Sequence, residues 1–199
     1  MSGDGPKAPR ASPDPGGRDD WRTTFRPDIP SSARIYDYFL GGKDHFQADR
    51  DAADQIAAYL PNMREAARIN RAFVRRAVRY LVSEAGIRQP IDIGAGLPTM
   101  GNVHEVATAA HPAAPGSYVA LTHGTADAAP RARDAARVYD AATTRMFVRS
   151  RAEVLALARG LDVVEPGLVW TPEWHPEPGE QVPARPSDCY YYALAARKP

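Results

Sequence analysis

The stretch QPIDIGAGLPTMGNVHEVA, residues 89–107, decides the fold class of this chain. Residues 90–94 form a short apolar run that is typical of a buried strand, and a glycine-rich turn and a helical segment follow it. This order of strand, glycine turn and helix is typical of an α/β nucleotide-binding fold. Because Thr99 stands where the third glycine of Gly-x-Gly-x-x-Gly belongs, an ordinary strand-to-helix turn stays the alternative.

The side chains around this turn suit a polar ligand. Gly94 and Gly96 let the backbone approach a ligand, and the N-terminus of the next helix offers unpaired N–H groups to an anion. Asp92, at the strand's end, can accept hydrogen bonds from an ammonium or a hydroxyl. Glu105 has capping-box spacing from Asn102, which explains it without catalysis, and His104 is either a ligand contact or a surface residue.

Two helices are predicted before the strand, over residues 47–59 and 62–85. Pro61 ends the first, and the second begins with Asn62 and Glu65 at capping-box spacing and ends at Gly86. An arginine row runs opposite the apolar face of the second helix, and we interpret it as a solvated surface. The apolar face carries Ala66, Ile69, Phe73, Ala77 and Tyr80, and the row carries Arg64, Arg68, Arg71, Arg75 and Arg79.

Composition fits one soluble domain. The 199 residues are 44% apolar, and 25 basic against 24 acidic residues leave a net charge of +1, so no global field attracts nucleic acid or anionic lipid. Cys189 is the only cysteine, which excludes an internal disulfide and suits a reducing cytoplasm, where we expect the protein. No apolar run approaches the roughly 20 residues that cross a bilayer.

Three regions are predicted: a disordered tail over 1–28, an N-terminal helical arm or cap over 29–88, and an α/β core over 89–199. A Pro-rich loop over 165–188 should pack down through Trp170 and Trp174. No metal-ligand or hydrolase pattern is present in the sequence. The core is predicted to contain strands at 117–122, 161–165 and 189–197 and helices at 131–142 and 151–159, the last with a Ser150–Glu153 capping box.

YDYFLGGKDHF (36–46) and DIGAGLPTMGNVHE (92–105) together resemble the S-adenosyl methyltransferase family of GC-rich bacteria, and the resemblance covers most of the chain beyond the tail. It implies a Rossmann-like class I methyltransferase fold with an antiparallel last strand, and S-adenosylmethionine as the cofactor. It also implies cofactor contacts at the glycine turn and in NVHE. Tyr36, with Tyr38, Phe39 and Phe46, belongs either to a lid over the cofactor or to an anchor on the core. The implied contacts are Asp92, Gly94, Ala95, Gly96, Asn102, His104, Glu105 and Tyr36.

The chain departs from the family between residues 107 and 117. In the family fold, the second strand ends in an acid that holds the ribose, and further strand and helix units form the adenine pocket. About 90 residues are expected there at roughly 30 per unit. Here AAHPAAPGSY joins the helix after the glycine turn directly to the predicted strand at 117–122, near residues 113–115. This predicts an internally deleted chain with about four strands.

The resemblance and the apparent deletion leave two functional classes. The chain is either a methyltransferase for an unknown acceptor, impaired by the loss of the central strand and helix units, or a non-catalytic remnant that binds a partner. No acid lies at the ribose spacing, because Asp127 lies beyond the next strand. His123 follows a strand and either faces the methyl acceptor or is an ordinary loop residue. The shortened sheet is expected to expose an edge that invites self-association, whereas binding to nucleic acid or membrane is not expected.

Overall fold

A computed structural model describes residues 26–89 and 115–199 of the chain. The predicted strand at 90–94, the glycine turn, the helix after it and most of the predicted tail lie outside these residues. Within them, helices and strands form a mixed α/β architecture with a sheet of four strands.

Residues 26–89 contain three helices: α1 (Ser32–Leu40), α2 (Gln47–Tyr59) and α3 (Met63–Ser83). The predictions for α2 and α3 are confirmed. Asn62 is the N-cap residue of α3, but the predicted capping box is wrong, because the Asn62 side chain makes no capping hydrogen bond. Gly86 follows α3 in the left-handed region, at φ +69°, where glycine carries no side-chain penalty.

The amphipathic pattern of α3 is also confirmed. Ala66, Phe73 and Ala77 are buried, whereas four of the five arginines in the row are exposed. Arg71 is half-buried instead, because it lies at the border between the two faces. Arg76, which the pattern did not single out, is 4% exposed.

The sheet is organised around the last strand of the chain. It consists of β1 (Tyr118–Gly124), β2 (Asp162–Val163), β3 (Val169–Trp170) and β4 (Tyr191–Arg197), and every other strand pairs antiparallel with β4. The antiparallel last strand was therefore predicted correctly. β1 and β2 run parallel to each other on opposite sides of β4, as expected for strands joined through helices.

β2 and β3 occupy the same side of β4. Asp162 lies opposite Arg197 and Val169 lies opposite Ala193, while Val164 N donates to Ala195 O between them. The two pieces thus form one interrupted strand, and Pro166 and Gly167 lie in the interruption. β3 was not predicted because it lies inside the Pro-rich stretch.

The two faces of β4 build separate parts of the core, since successive side chains of a strand point to opposite faces. Tyr192 and Leu194 pack with Val154 of the C-terminal half, whereas Ala193 packs with Phe73 of α3. Burial on both faces explains the nearly continuous apolar run of this strand.

Two short helices, α4 (Ala132–Val138) and α5 (Arg151–Leu157), connect β1 to β2. The predicted capping box of α5 is present: Ser150 N donates to Glu153 Oε2 at 2.8 Å and Glu153 N donates to Ser150 Oγ at 3.4 Å. Both tryptophans of the Pro-rich stretch pack down as predicted. Trp174 is fully buried, and Trp170 stacks on Tyr192 with ring centroids 4.2 Å apart.

The N-terminal helices share a hydrophobic core with the C-terminal half. Ile35, Phe39 and Ile56 belong to the same buried cluster as Ala135 and Tyr139. This shared core fixes α1 and α3 beside the end of β1. None of the helices that the structure describes is long and apolar enough to span a membrane.

Candidate functional site

Most of the side chains predicted to contact the cofactor lie outside the described residues, and Tyr36 is the one that lies inside. Ligands of open α/β sheets bind beyond the carboxyl ends of the strands. The described site is therefore built at the carboxyl end of β1 and the helices that face it. The predicted contacts outside the described residues are Asp92, Gly94, Ala95, Gly96, Asn102, His104 and Glu105.

His123 lies at the carboxyl end of β1 with both ring nitrogens engaged. Its Nδ1 lies 2.9 Å from the carbonyl oxygen of Gly124, and its Nε2 contacts Nη1 of Arg149. A carbonyl only accepts and a guanidinium only donates, so Nδ1 carries the proton and Nε2 accepts. A neutral imidazole whose lone pair faces Arg149 cannot remove a proton from an acceptor until Arg149 moves. A role towards the acceptor stays a prediction.

Asp127 holds the beginning of α5. Its Oδ2 accepts from the backbone N–H of Arg151 at 2.8 Å and from the hydroxyl of Tyr192 at 3.1 Å. Burial and this hydrogen bond raise the pKa of Tyr192 to about 12, so the phenol stays protonated and donates. These two hydrogen bonds hold the Asp127 carboxylate at the start of α5.

Three tyrosines gather between α1, α3 and the start of β4. The hydroxyl of Tyr36 donates to the carbonyl oxygen of Ala67 at 3.1 Å and accepts from Nδ2 of Asn70 at 3.0 Å. Tyr139 is 3% exposed, and Tyr191 lies opposite Gly124, the last residue of β1. Burial raises the pKa of all three phenols, so they are neutral donors and acceptors near pH 7.

Two polar atoms beside Tyr36 lack partners. Oδ1 of Asn70 and Nε of Arg71 are buried and make no hydrogen bond. Leaving a buried polar group unsatisfied costs about 1–3 kcal/mol, so such atoms call for an explanation such as a missing partner. These residues thus fit the polar end of a ligand. The sequence analysis did not single out Asn70, because it belongs neither to the apolar face of α3 nor to the arginine row.

The segment YDYFLGGKDHF has a clear structural role. Asp37 is 1% exposed, its Oδ2 accepts from Asp44 N at 2.8 Å, and a Cβ at Gly42 would lie 1.9 Å from its Oδ1. The second glycine is therefore needed for close approach to a buried carboxylate. This supports the anchor interpretation of the segment, while Tyr36 as a cofactor contact stays a prediction.

A second buried carboxylate, Asp49, ties α1 to α2. It accepts from Arg34 Nε at 2.7 Å and from the backbone N–H groups of Ser31 and Phe46, each at 2.8 Å. Burial acts to raise the pKa of Asp49, but the hydrogen bonds from Arg34, Phe46 and Ser31 outweigh it and hold the pKa below its usual value. This arrangement explains Asp49 without a ligand.

A cleft of about 340 Å³ lies between α3 and the Pro-rich stretch. Its arginines are largely neutralised: Arg79 pairs with Glu177 at 2.6 Å, and Arg76 pairs with Glu180 at 3.1 Å. Arg76 also donates to the carbonyl oxygens of Thr171 and Trp174, at 2.6 and 2.9 Å. The ion pairs and hydrogen bonds that line this cleft therefore hold the Pro-rich stretch against α3.

Duplex DNA is expected to bind the arginine row weakly and without sequence preference at physiological salt, because acidic partners offset the row and the net charge is +1. Fluorescence anisotropy with a labelled duplex tests this. Submicromolar binding that weakens steeply with salt, and that is lost when Arg68, Arg71 and Arg75 are replaced, would contradict the solvated interpretation.

Comparison with known proteins agrees with this architecture. A protein of the DUF574 family from Streptomyces avermitilis is 29% identical, with a TM-score of 0.79, and the match covers 87% of this chain and 100% of that chain. A Thermobifida fusca protein described as a candidate methyltransferase is 27% identical, with a TM-score of 0.75, and the match covers 86% and 96% of the two chains. No curated protein matches the chain.

The family model described as S-adenosyl methyltransferase matches residues 20–115 and 110–199. The two matches together span the chain beyond its first 19 residues, and both solved relatives share its fold. The chain belongs to the S-adenosyl methyltransferase family.

Proposed function

We propose that this chain is an S-adenosylmethionine-dependent methyltransferase whose cofactor site lacks its ribose and adenine side, so that binding and turnover are impaired. The observation that carries the proposal is the form of the family match. It comes as two segments that meet at residues 110–115, the place where AAHPAAPGSY joins the glycine-turn helix to β1.

The proposed loss lies where the two matched segments of the chain meet. The alignment covers 100% of the Streptomyces avermitilis chain, so both ends of the family fold have counterparts here. On this proposal, the missing strand and helix units belong inside the aligned span. The helical arm and α4 share one buried cluster, and β1, β4 and β2 lie side by side in the sheet.

The cofactor, when bound, supplies an electrophilic methyl group on a sulfonium. The chain's own task is to bind the cofactor, to align an acceptor with the methyl group and to exclude water. By resemblance, Asp92 and the glycine turn hold the cofactor. Asp37 and Asp49 anchor the helical arm through buried hydrogen bonds. At the carboxyl end of β1, His123 contacts Arg149, so proton removal from an acceptor would require Arg149 to move away.

Replacing Gly94 by valine is expected to weaken binding of S-adenosylhomocysteine about tenfold or more. A branched side chain would occupy the place where the ligand approaches the backbone. Isothermal titration calorimetry of the parent and Gly94→Val measures the effect.

Ala128→Val is the matched control, since Ala128 is exposed beyond β1 and the same side chain is introduced there. If Gly94→Val binds as tightly as the parent, the assignment of the cofactor to this turn is wrong.

A non-catalytic binding module is the second candidate, and the exposed surface of the C-terminal half favours it. Phe147 and Leu157 are 64% and 51% exposed, and β1 pairs only with β4 within the part of the chain that the structure describes. A strand edge without a partner favours pairing with a second copy, and exposed apolar side chains favour a contact surface. Concentration-dependent dimerisation in sedimentation, without any binding of S-adenosylhomocysteine, would favour this candidate over the enzyme.

A further inference from the structure

We propose that Tyr36, Asn70 and Arg71 form the site for the amino-acid end of S-adenosylmethionine, with the hydroxyls of Tyr139 and Tyr191 beside them. The inference rests on the proposed function. It names the residues that would hold the amino-acid end of the cofactor, whereas the proposed deletion removes the protein's contacts to the ribose and the adenine.

The first step is location. Tyr36, Tyr139 and Tyr191 belong to one hydrophobic cluster, and Tyr191 lies opposite Gly124 at the carboxyl end of β1. Asn70 is joined to Tyr36 by a hydrogen bond of 3.0 Å. The cluster therefore lies at the edge of the sheet where α/β folds bind their ligands.

The second step concerns two buried polar atoms beside Tyr36 that have unmet hydrogen bonds: Oδ1 of Asn70 and Nε of Arg71 are buried without a partner. Arg71 lies close enough to Tyr36 to counter the effect of burial on that phenol's pKa. An unsatisfied acceptor and an unsatisfied donor on neighbouring residues indicate a polar ligand better than one isolated atom does.

The third step is the chemistry of the ligand. A guanidinium with a free N–H is the usual partner of a carboxylate, and an amide oxygen with neutral phenols can accept from an ammonium. A group that carries both charges on neighbouring atoms is the head of an α-amino acid. S-adenosylmethionine has such a head, joined through its side chain to the sulfonium.

The test compares S-adenosylhomocysteine with 5′-methylthioadenosine, which shares the adenosine and the sulfur but lacks the amino-acid head. Ligand-observed NMR titrations, extended to millimolar ligand, measure both affinities for the parent, Arg71→Met and Tyr36→Phe. The matched control is Arg68→Met on the same helix, where the side chain is exposed and its ion pair with Glu65 is long, at 3.5 Å.

We expect the parent to bind S-adenosylhomocysteine at least about tenfold more tightly than 5′-methylthioadenosine, because bonds to charged groups would be lost with the head. Arg71→Met should remove this difference, Tyr36→Phe should reduce it and Arg68→Met should leave it unchanged. Circular dichroism reports whether each variant is folded. If Arg71→Met does not fold, Tyr36→Phe, which removes one oxygen, decides.

Equal binding of the two ligands by the parent would overturn the inference. So would undiminished binding of S-adenosylhomocysteine by folded Arg71→Met and Tyr36→Phe, and either result would leave the proposed function standing. If the parent binds neither ligand, the proposed function and the inference fail together.

Discussion

Replacing Trp174 by alanine is expected to lower the free energy of unfolding by about 3–5 kcal/mol, the usual range for a large buried aromatic side chain. Trp174 is fully buried, and its ring packs edge-on against Phe73 and Tyr80 of α3, with centroids 5.2 and 5.6 Å away. The substitution would leave a cavity between α3 and β4, where Ala193 and Ala195 are too small to fill it. Urea denaturation followed by circular dichroism measures the loss.

Two variants sharpen this prediction. Trp174→Phe should cost clearly less, because part of the ring remains and the indole N–H makes no hydrogen bond that could be lost. Phe147→Ala removes an aromatic side chain that is 64% exposed and should change stability by no more than about 0.5 kcal/mol. A loss for Trp174→Ala as small as that for Phe147→Ala would show that the Pro-rich stretch does not pack on α3.

Sequence patterns predicted those parts of the fold in which local propensity and burial agree. The 3.6-residue period placed α2 and α3 nearly to the residue, and the Ser150–Glu153 spacing identified the start of α5. At Asn62 the same type of pattern was misleading, because spacing shows only that a cap is possible, whereas the side chain makes no capping bond.

Features that depend on contacts distant in sequence could not be predicted. β3 exists because Val169 and Trp170 pair with β4 more than 20 residues later, against the local preference of a Pro-rich stretch. Arg76 resembled its solvated neighbours on α3, yet it is buried because the carbonyl oxygens of Thr171 and Trp174 accept from it. Such partners are decided by tertiary packing alone.

The candidate site has one part that the sequence predicts and one part that it does not. The glycine turn and Asp92 were predicted because backbone approach to a ligand demands particular residues at fixed spacing, and they stay a prediction outside the described residues. Asn70 and Arg71 were not recognisable as a polar site, since their significance lies in the unsatisfied atoms beside Tyr36, which a sequence does not display.

The purified 199-residue chain is expected to bind S-adenosylhomocysteine roughly ten- to a hundredfold more weakly than its relative from Streptomyces avermitilis. The proposed internal loss removes the acid that would hold the ribose, and a hydrogen bond to a charged group contributes about 1.5–3 kcal/mol. Loss of adenine burial would weaken binding further. Asp127 is a poor substitute, because its Oδ2 already accepts from Arg151 N and from Tyr192.

Side-by-side calorimetric titration of the two proteins with S-adenosylhomocysteine, in one buffer and at one temperature, tests the central claim most directly. An incomplete cofactor site predicts measurable but weak binding by this chain, at least tenfold weaker than that of the relative. Low-micromolar binding equal to that of the relative would contradict the account and would mean that the shortened chain has a complete cofactor site.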